Sequence, residues 1–579
     1  MKKILWFLCF TAVIFGFSSC DKMLTVNSER FITVDQNGLN SANDSISSIF
    51  GILTGMQKVG ERYFLFGEMR GDLLNTTDYT PANIRSLSDF TVRDTSAYAN
   101  PGDYYAIINN CNYFISRTGD SKSSLQAENA LAHAIRAWTY MQIVFNWGKA
   151  YYYTQPILSV KDAEKDFPVY SIPQVIDALI ADLQPFVGVP YPNYADIYGL
   201  QSSNLFIPVE VLLGDLYLWR GSSTADYEQA ATYYSDYADK NLVPLAYNQS
   251  SVWWIYNDFL LQDFDKATPA NNWTQMTYAS SVNSELIAAI KMAPAPDQGI
   301  ANQLIGQSAY MNNNGNETCI YFEPSDVINN LWNDQVYVLH YVAGALATDY
   351  YTMGDLRKAG NSMLGSSIYG PYKISVTTSA TSATTSIANV TFLSKLYMAN
   401  SIMLYRYGLI MLRYAEAVNR AGKPNTAFAV LKYGLDPVTL ADSTRIPRAE
   451  LADAKPYITV FNNPRYSDDL NTQGTGIHSR GCGSGTVYNQ YYIIGGANGE
   501  PLPTLADSIQ WVESAICDEL ALETSFEGNR FQDLMRMAIH RNDRSFLASR
   551  VAAKHTNDYS RVYNLLMNEN NWFLPEKSK

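Results

Sequence analysis

The chain has 579 residues, a formal charge of −13, and a composition that is 47% hydrophobic and only 17% charged. That is too long for one ordinary domain, but it suits several domains or one large composite domain with a sizeable core. The acidic balance, with no Lys/Arg cluster to offset it, argues against phosphate backbones and anionic lipid heads as partners, so no nucleic acid is expected. Aromatics reach 13%, mostly through 42 tyrosines. Tyr has an apolar body and a polar tip, which suits both gaps between helices and a wet contact surface.

The chain opens MKKILWFLCFTAVIFGFSSC. Lys2 and Lys3 precede an apolar run from Ile4 to Phe17, shorter than the about 20 residues a membrane span needs. Basic start, short apolar stretch and small residues together predict a secretory signal over residues 1–19. Phe17-Ser18-Ser19-Cys20 resembles a lipobox, the bacterial lipoprotein signal in which the cysteine is acylated and becomes the first residue. Phe17 at the usual aliphatic position is a mild departure. Loss of Lys2 and Lys3 takes the mature charge to −15. Residues 20–45 are read as a lipidated tether, with lipid at Cys20. No later apolar run is long enough to span a membrane. Cys111, Cys319, Cys482 and Cys517 are scattered, with no CxxC and no Cys/His cluster of zinc spacing. They are expected to be mostly buried free thiols, with one disulfide open, and no metal or cofactor is expected.

Helical periodicity follows. Within residues 125–147, Leu131, Ile135, Trp138, Gln142 and Phe145 share one face of an amphipathic helix that Gly148 ends. Residues 208–240 predict a helical hairpin. Pro208 sits in the first turn, Val209, Leu212, Leu213, Leu216 and Trp219 form one stripe, Asp226 is a cap, and Tyr227, Ala230, Ala231, Tyr234 and Ala238 form a second stripe. Two antiparallel helices in that length match the tetratricopeptide pattern, and Leu404–Leu435 predicts a second such unit. Residues 250–400 and 455–505 are rich in Asn, Gly, Ser and Thr and predict loops, including the stretch ISVTTSATSATTSIANV. Loops over a helical scaffold are where binding sites usually sit.

Residues 515–541, AICDELALETSFEGNRFQDLMRMAIHR, resemble the closing signature of the SusD/RagB family. The matching positions are Glu519, Glu523, Glu527, Gly528, Arg530, Phe531, Asp533, Leu534 and Arg536, and Thr524-Ser525-Phe526 departs from the commoner Leu-Ala-Phe. MLRYAEAVNRAGK (411–423), AIRAWTYMQIVFNWGKA (134–150), DYYAIINNCNYFI (103–115), YTMGDLRKAG (351–360) and NWFLPEK (571–577) resemble further family elements in the expected order. The resemblance implies a mostly α, SusD-like fold with tetratricopeptide-type helix pairs as scaffold and a loop-rich ligand-binding face. Residues 46–250 and 251–579 would be its N- and C-terminal regions, packed as one composite domain. It also implies an outer-membrane, surface-exposed lipoprotein that captures glycans, or peptides in RagB-like members, for a SusC-like TonB-dependent transporter.

Glu519, Glu523 and Glu527 are spaced by four, so on one helix they repel by a few tenths of a kcal/mol. An offsetting cation is expected, with Arg530, Arg536 and Arg413 as candidates, in a structural ion-pair network rather than a catalytic one. No HExxH, GxSxG or GxxxxGK[ST] occurs, and the chain is not expected to be an enzyme. His133 reads as a packing or surface residue. His478 lies in GTGIHSRGCG, which resembles a phosphate loop but lacks its lysine. A lipid-anchored glycoside hydrolase is the alternative of another class, because two catalytic carboxylates would be paired only in space. A sugar needs a flat ring for its C–H face and amides or carboxylates for its hydroxyl rim. The candidates are Trp253 and Trp254 beside Asn257 and Asp258, Trp273 beside Asn271 and Asn272, and Trp332 beside Asn330 and Asn333. Tyr79 and Tyr98 are secondary candidates.

Overall fold

The structure is a computed structural model that describes residues 42–119, 123–241 (save 198), 401–459 and 499–577, with shorter stretches between 285 and 390 and between 476 and 496. Cys20, Trp253, Trp254, Asn257, Asp258, Asn271, Asn272, Trp273, Cys319 and Cys482 lie outside the described residues. The fold is mostly α, with eighteen α-helices and only two-stranded antiparallel sheets among the described residues.

Helix Ala42–Glu68 runs along helix Gly102–Thr118, which pairs in turn with helix Gln126–Trp147. The last of these matches the predicted 125–147 element, and it ends at Gly148 in the left-handed region, φ 77°. That helix is buried almost all round, so the apolar stripe read from sequence is only the best-marked part of its buried surface.

The predicted hairpin at 208–240 is present as helices Val209–Arg220 and Thr224–Asn241. Pro208 stands just outside the first helix, at its N-cap. Gly214 allows a close crossing, since a Cβ there would lie 2.6 Å from the Tyr234 ring. Asp226 sits inside the first turn and accepts hydrogen bonds from the Ser222 backbone N–H and from Arg220, so it braces the turn rather than capping the helix. The second hairpin is helices Tyr407–Arg420 and Pro424–Lys432. Its first residues differ from expectation: Ser401–Arg406 is a strand paired with Leu286–Lys291. Both hairpins stack through helix Tyr407–Arg420, which also packs on helix Leu505–Thr524.

The loop-rich middle is corrected in part. Val336–Ala343 pairs with Leu346–Met353, and Ile374–Ala380 pairs with Ala383–Val390, where the Ser/Thr-rich stretch lies. Composition pointed to loops, but Thr, Val and Ile are β-branched and fit a pleated strand. Cys111 and Cys517 are buried free thiols.

Candidate ligand-binding surface

The signature at the C-terminus forms a buried electrostatic frame. Glu519 and Glu523 lie on one face of helix Leu505–Thr524, but Glu527 lies beyond the helix end, past Phe526 with its positive φ of 66°. The offsetting cations are not those expected from sequence. Arg357 donates to Glu523 at 2.9 Å, to Glu519 and to Asp355. Arg406 donates to Glu523 at 2.8 Å, to Glu527 at 3.0 Å and to Glu285 at 3.1 Å. Arg530 instead forks onto Asp72, Arg536 onto Glu416 and Asp533, and Arg413 onto Asp215 and Asp533. Burial alone would raise the Glu519 carboxyl, but Arg357 and His478 bring it below its ordinary value. Charges desolvated this deeply hold the fold together only because each has a partner.

His478 is buried in that frame, its Nδ1 2.8 Å from Glu519 and its ring stacked on Tyr492. His133 is also buried, 3.0 Å from Asp182 and packed on Phe186. Both serve packing and hydrogen-bonding roles. Among the described residues no group of His, Cys, Asp and Glu has metal-binding geometry.

The frame carries an outward-facing turn. After helix Ala42–Glu68, the strand Leu74–Thr76 pairs with Phe322–Pro324, with Asn75 opposite Glu323. The next residues form a tight turn. Thr80 N–H donates to the Thr77 carbonyl at 3.1 Å, Thr77 N–H donates to Thr80 Oγ1 at 2.8 Å, and Thr80 Oγ1 donates to the Tyr321 carbonyl at 2.6 Å. Arg85 pins the same turn from below, reaching Thr76 Oγ1 and the Thr77 carbonyl. Tyr79, at the tip, is 65% exposed. On the paired strand, burial first, and then Asp326 and Asp78, hold the Glu323 carboxyl above its ordinary value. The result is an exposed ring on a rigid mount, next in sequence to Asp78, whose charge reaches Glu323.

Two other candidates are corrected. Tyr98 is 8% exposed and packs edge-on to Phe66, so it belongs to the core. Trp332 is fully buried and packs edge-on to Phe526, leaving no face for a ligand. Their polar sequence neighbours suggested exposure, whereas Ile328 and Trp332 share one face of helix Asp326–Asn333 and turn inward. Asn333 is exposed and accepts from Lys358 at 2.9 Å. Sequence reasoning missed Glu323, Arg357 and Arg406. The ion pairs that join Arg357 and Arg406 to Glu519, Glu523 and Glu527 cross 117 to 166 residues, and no helical or strand spacing marks them.

A mostly helical scaffold of stacked hairpins is the architecture that a SusD-like fold implies. The SusD family model matches residues 264–575, more than half of the chain, and the chain belongs to that family. Solved structures agree on the fold. A SusD superfamily protein from Bacteroides thetaiotaomicron is 14% identical, with 93% of this chain and 96% of that one covered at a TM-score of 0.52. One from Bacteroides vulgatus is also 14% identical, with the same coverage and a TM-score of 0.53. A SusD homolog from Bacteroides thetaiotaomicron is 15% identical, covering 93% and 92%, with a TM-score of 0.50. No curated protein matches the chain.

Proposed function

We propose that this protein is a lipid-anchored, surface-exposed outer-membrane lipoprotein that binds oligosaccharides or polysaccharides. It passes them without chemical change to a SusC-like TonB-dependent transporter. The observation that carries the binding reading is Tyr79, an exposed ring on a turn clamped by three threonine hydrogen bonds and Arg85, with Asp78 as its sequence neighbour. A pyranose offers the C–H face that such a ring covers and the hydroxyls that carboxylates accept. The anchor reading rests on the lipobox at Cys20. Among the described residues, no helix is long and apolar enough to cross a membrane.

Calorimetric titration of the unlipidated protein with plant, host and microbial glycans tests the binding. Heat with intact ligand supports it, and released sugar overturns it in favour of hydrolysis. Tyr79→Ala should weaken affinity by about 1–2 kcal/mol with an unchanged melting temperature. Cys20→Ala should release the protein from the membrane fraction or block its maturation. Continued membrane retention with normal processing would refute the anchor.

A further inference from the structure

A groove of about 750 Å³ opens where helix Gly102–Thr118 meets the C-terminal end of helix Gln126–Trp147 and the hairpin Lys149–Tyr151/Val169–Ser171. Its size falls within the roughly 300–1,000 Å³ of ordinary ligand sites. Its walls are fixed. Trp147, in the floor, is locked edge-on against Phe66 and Tyr104. The chain end forms one side, held by Leu574 N–H on the Asn146 carbonyl at 2.7 Å and Lys577 N–H on the Ala99 carbonyl at 3.1 Å. Tyr105 stacks on Tyr153, with ring centres 6.1 Å apart.

We propose that this groove is a second binding site, for a neutral oligosaccharide. It goes beyond the reading above, since none of its residues belongs to the Tyr79 turn. Three properties select that ligand class. First, the groove offers a flat ring beside an aliphatic side chain: Tyr151 and Val169 are cross-strand partners, each 48% exposed. An apolar pair left half in water on a two-stranded hairpin suits the C–H face of a sugar ring. Second, the polar lining carries no net charge. Asp94 and Glu576 accept from hydroxyls, while Lys149, Lys577 and Asn100 donate to them, and Lys149 already pairs with Glu576 at 3.0 Å. A polyanion or polycation gains nothing from a balanced rim, and a lipid chain would strip water from these groups without replacing it. Third, a peptide adding as a strand would need open backbone donors along the hairpin. The Tyr151 N–H is already taken by the Tyr105 hydroxyl at 2.8 Å, and the Tyr152 N–H by the Pro168 carbonyl.

The test is calorimetry of the full mature, unlipidated chain against neutral tetra- to hexasaccharides of the gluco, manno, xylo and galacto series. Short neutral peptides form a parallel arm. A saccharide that binds the parent protein should bind Tyr151→Ala at least about tenfold more weakly. Val169→Arg, which fills the groove while leaving every aromatic ring of the site in place, should give the same loss. Both positions are half exposed, so melting temperatures should hold, and circular dichroism checks that they do. The proposal is overturned if no member of the panel binds, if both variants bind as the parent does, or if peptides bind and saccharides do not. Loss confined to Tyr79→Ala also overturns it, while leaving the function proposed above intact.

Discussion

Single buried charges decide much of this protein's stability, and Arg406 is the clearest case. It lies among Glu285, Glu523 and Glu527, fully removed from water. Replacing it takes away the shared cation while the carboxylates stay desolvated. Arg406→Met should therefore lower the free energy of unfolding by about 3–5 kcal/mol in urea titrations. A loss below about 1 kcal/mol would mean that the carboxylates take up protons instead. Glu68 gives the complementary, pH-dependent case. Burial first pushes its carboxyl up to about 7, against the opposing hydrogen bond from the Gly528 N–H and the nearby Arg530. A folded-state value above the unfolded one favours the protonated form. The stabilising contribution is thus complete below the unfolded value of 4.5 and is lost as pH rises through about 7. The loss is on the order of 3 kcal/mol. Glu68→Gln should be no less stable than the parent near pH 8 and lose its advantage near pH 4. The difference between the two proteins, followed by thermal melts across pH, isolates this carboxyl from other titrating groups.

At the scale of elements, the joint between helix Ala42–Glu68 and the turn before helix Arg530–Arg541 depends on two glycines. A Cβ on Gly67 would fall 1.9 Å from the Gly528 carbonyl oxygen. Gly528 has φ 89°, and a Cβ there would meet the Tyr63 ring at 2.6 Å. Gly528→Ala should cost at least about 2 kcal/mol, combining overpacking with left-handed strain. Differential scanning calorimetry reads this, and an unchanged melting temperature would show that the joint can open. Elements of this kind were unevenly legible in the sequence. Helix Gln126–Trp147 and the hairpin Val209–Asn241 announce themselves through spacing and punctuation, both local properties. The strand Ser401–Arg406 does not, because it runs straight into helical periodicity and its partner lies more than a hundred residues away. Tyr79 and Tyr98 stand in similar polar loops, yet one is exposed and the other is covered by Phe66. Only the fold separates them. The match of Arg357 to Glu519 and Glu523 escaped for the same reason, since charge pairing at that distance leaves no periodic trace.

Across the whole molecule, contacts tie the first described helix to the last residues. Tyr63 donates to Asn529 at 3.0 Å, Arg530 forks onto Asp72, and Arg70 reaches the Trp572 carbonyl and lies over the Phe531 ring. Lys554 donates to the Met69 and Leu74 carbonyls. Asp215, from the N-terminal region, accepts from Tyr234, Tyr405 and Arg413 at once. We propose on these grounds that residues 46–250 and 251–579 form one composite domain that unfolds as a unit. A single calorimetric transition, with matching calorimetric and van't Hoff enthalpies, is the expected result. Two resolved transitions would divide the domain.

The same long-range closure has a consequence for how the chain is made. Glu68 ends the first described helix and Arg70 and Asp72 follow it, yet Gly528, Arg530 and Trp572, which they meet, lie 458 to 502 residues further along the chain. Until those residues are synthesised, the early segment holds three charged groups that it cannot bury without loss. Contacts so distant in sequence also form slowly. The joint around Glu68, Arg70 and Asp72 therefore closes only after the segment that carries Gly528, Arg530 and Trp572 has been made.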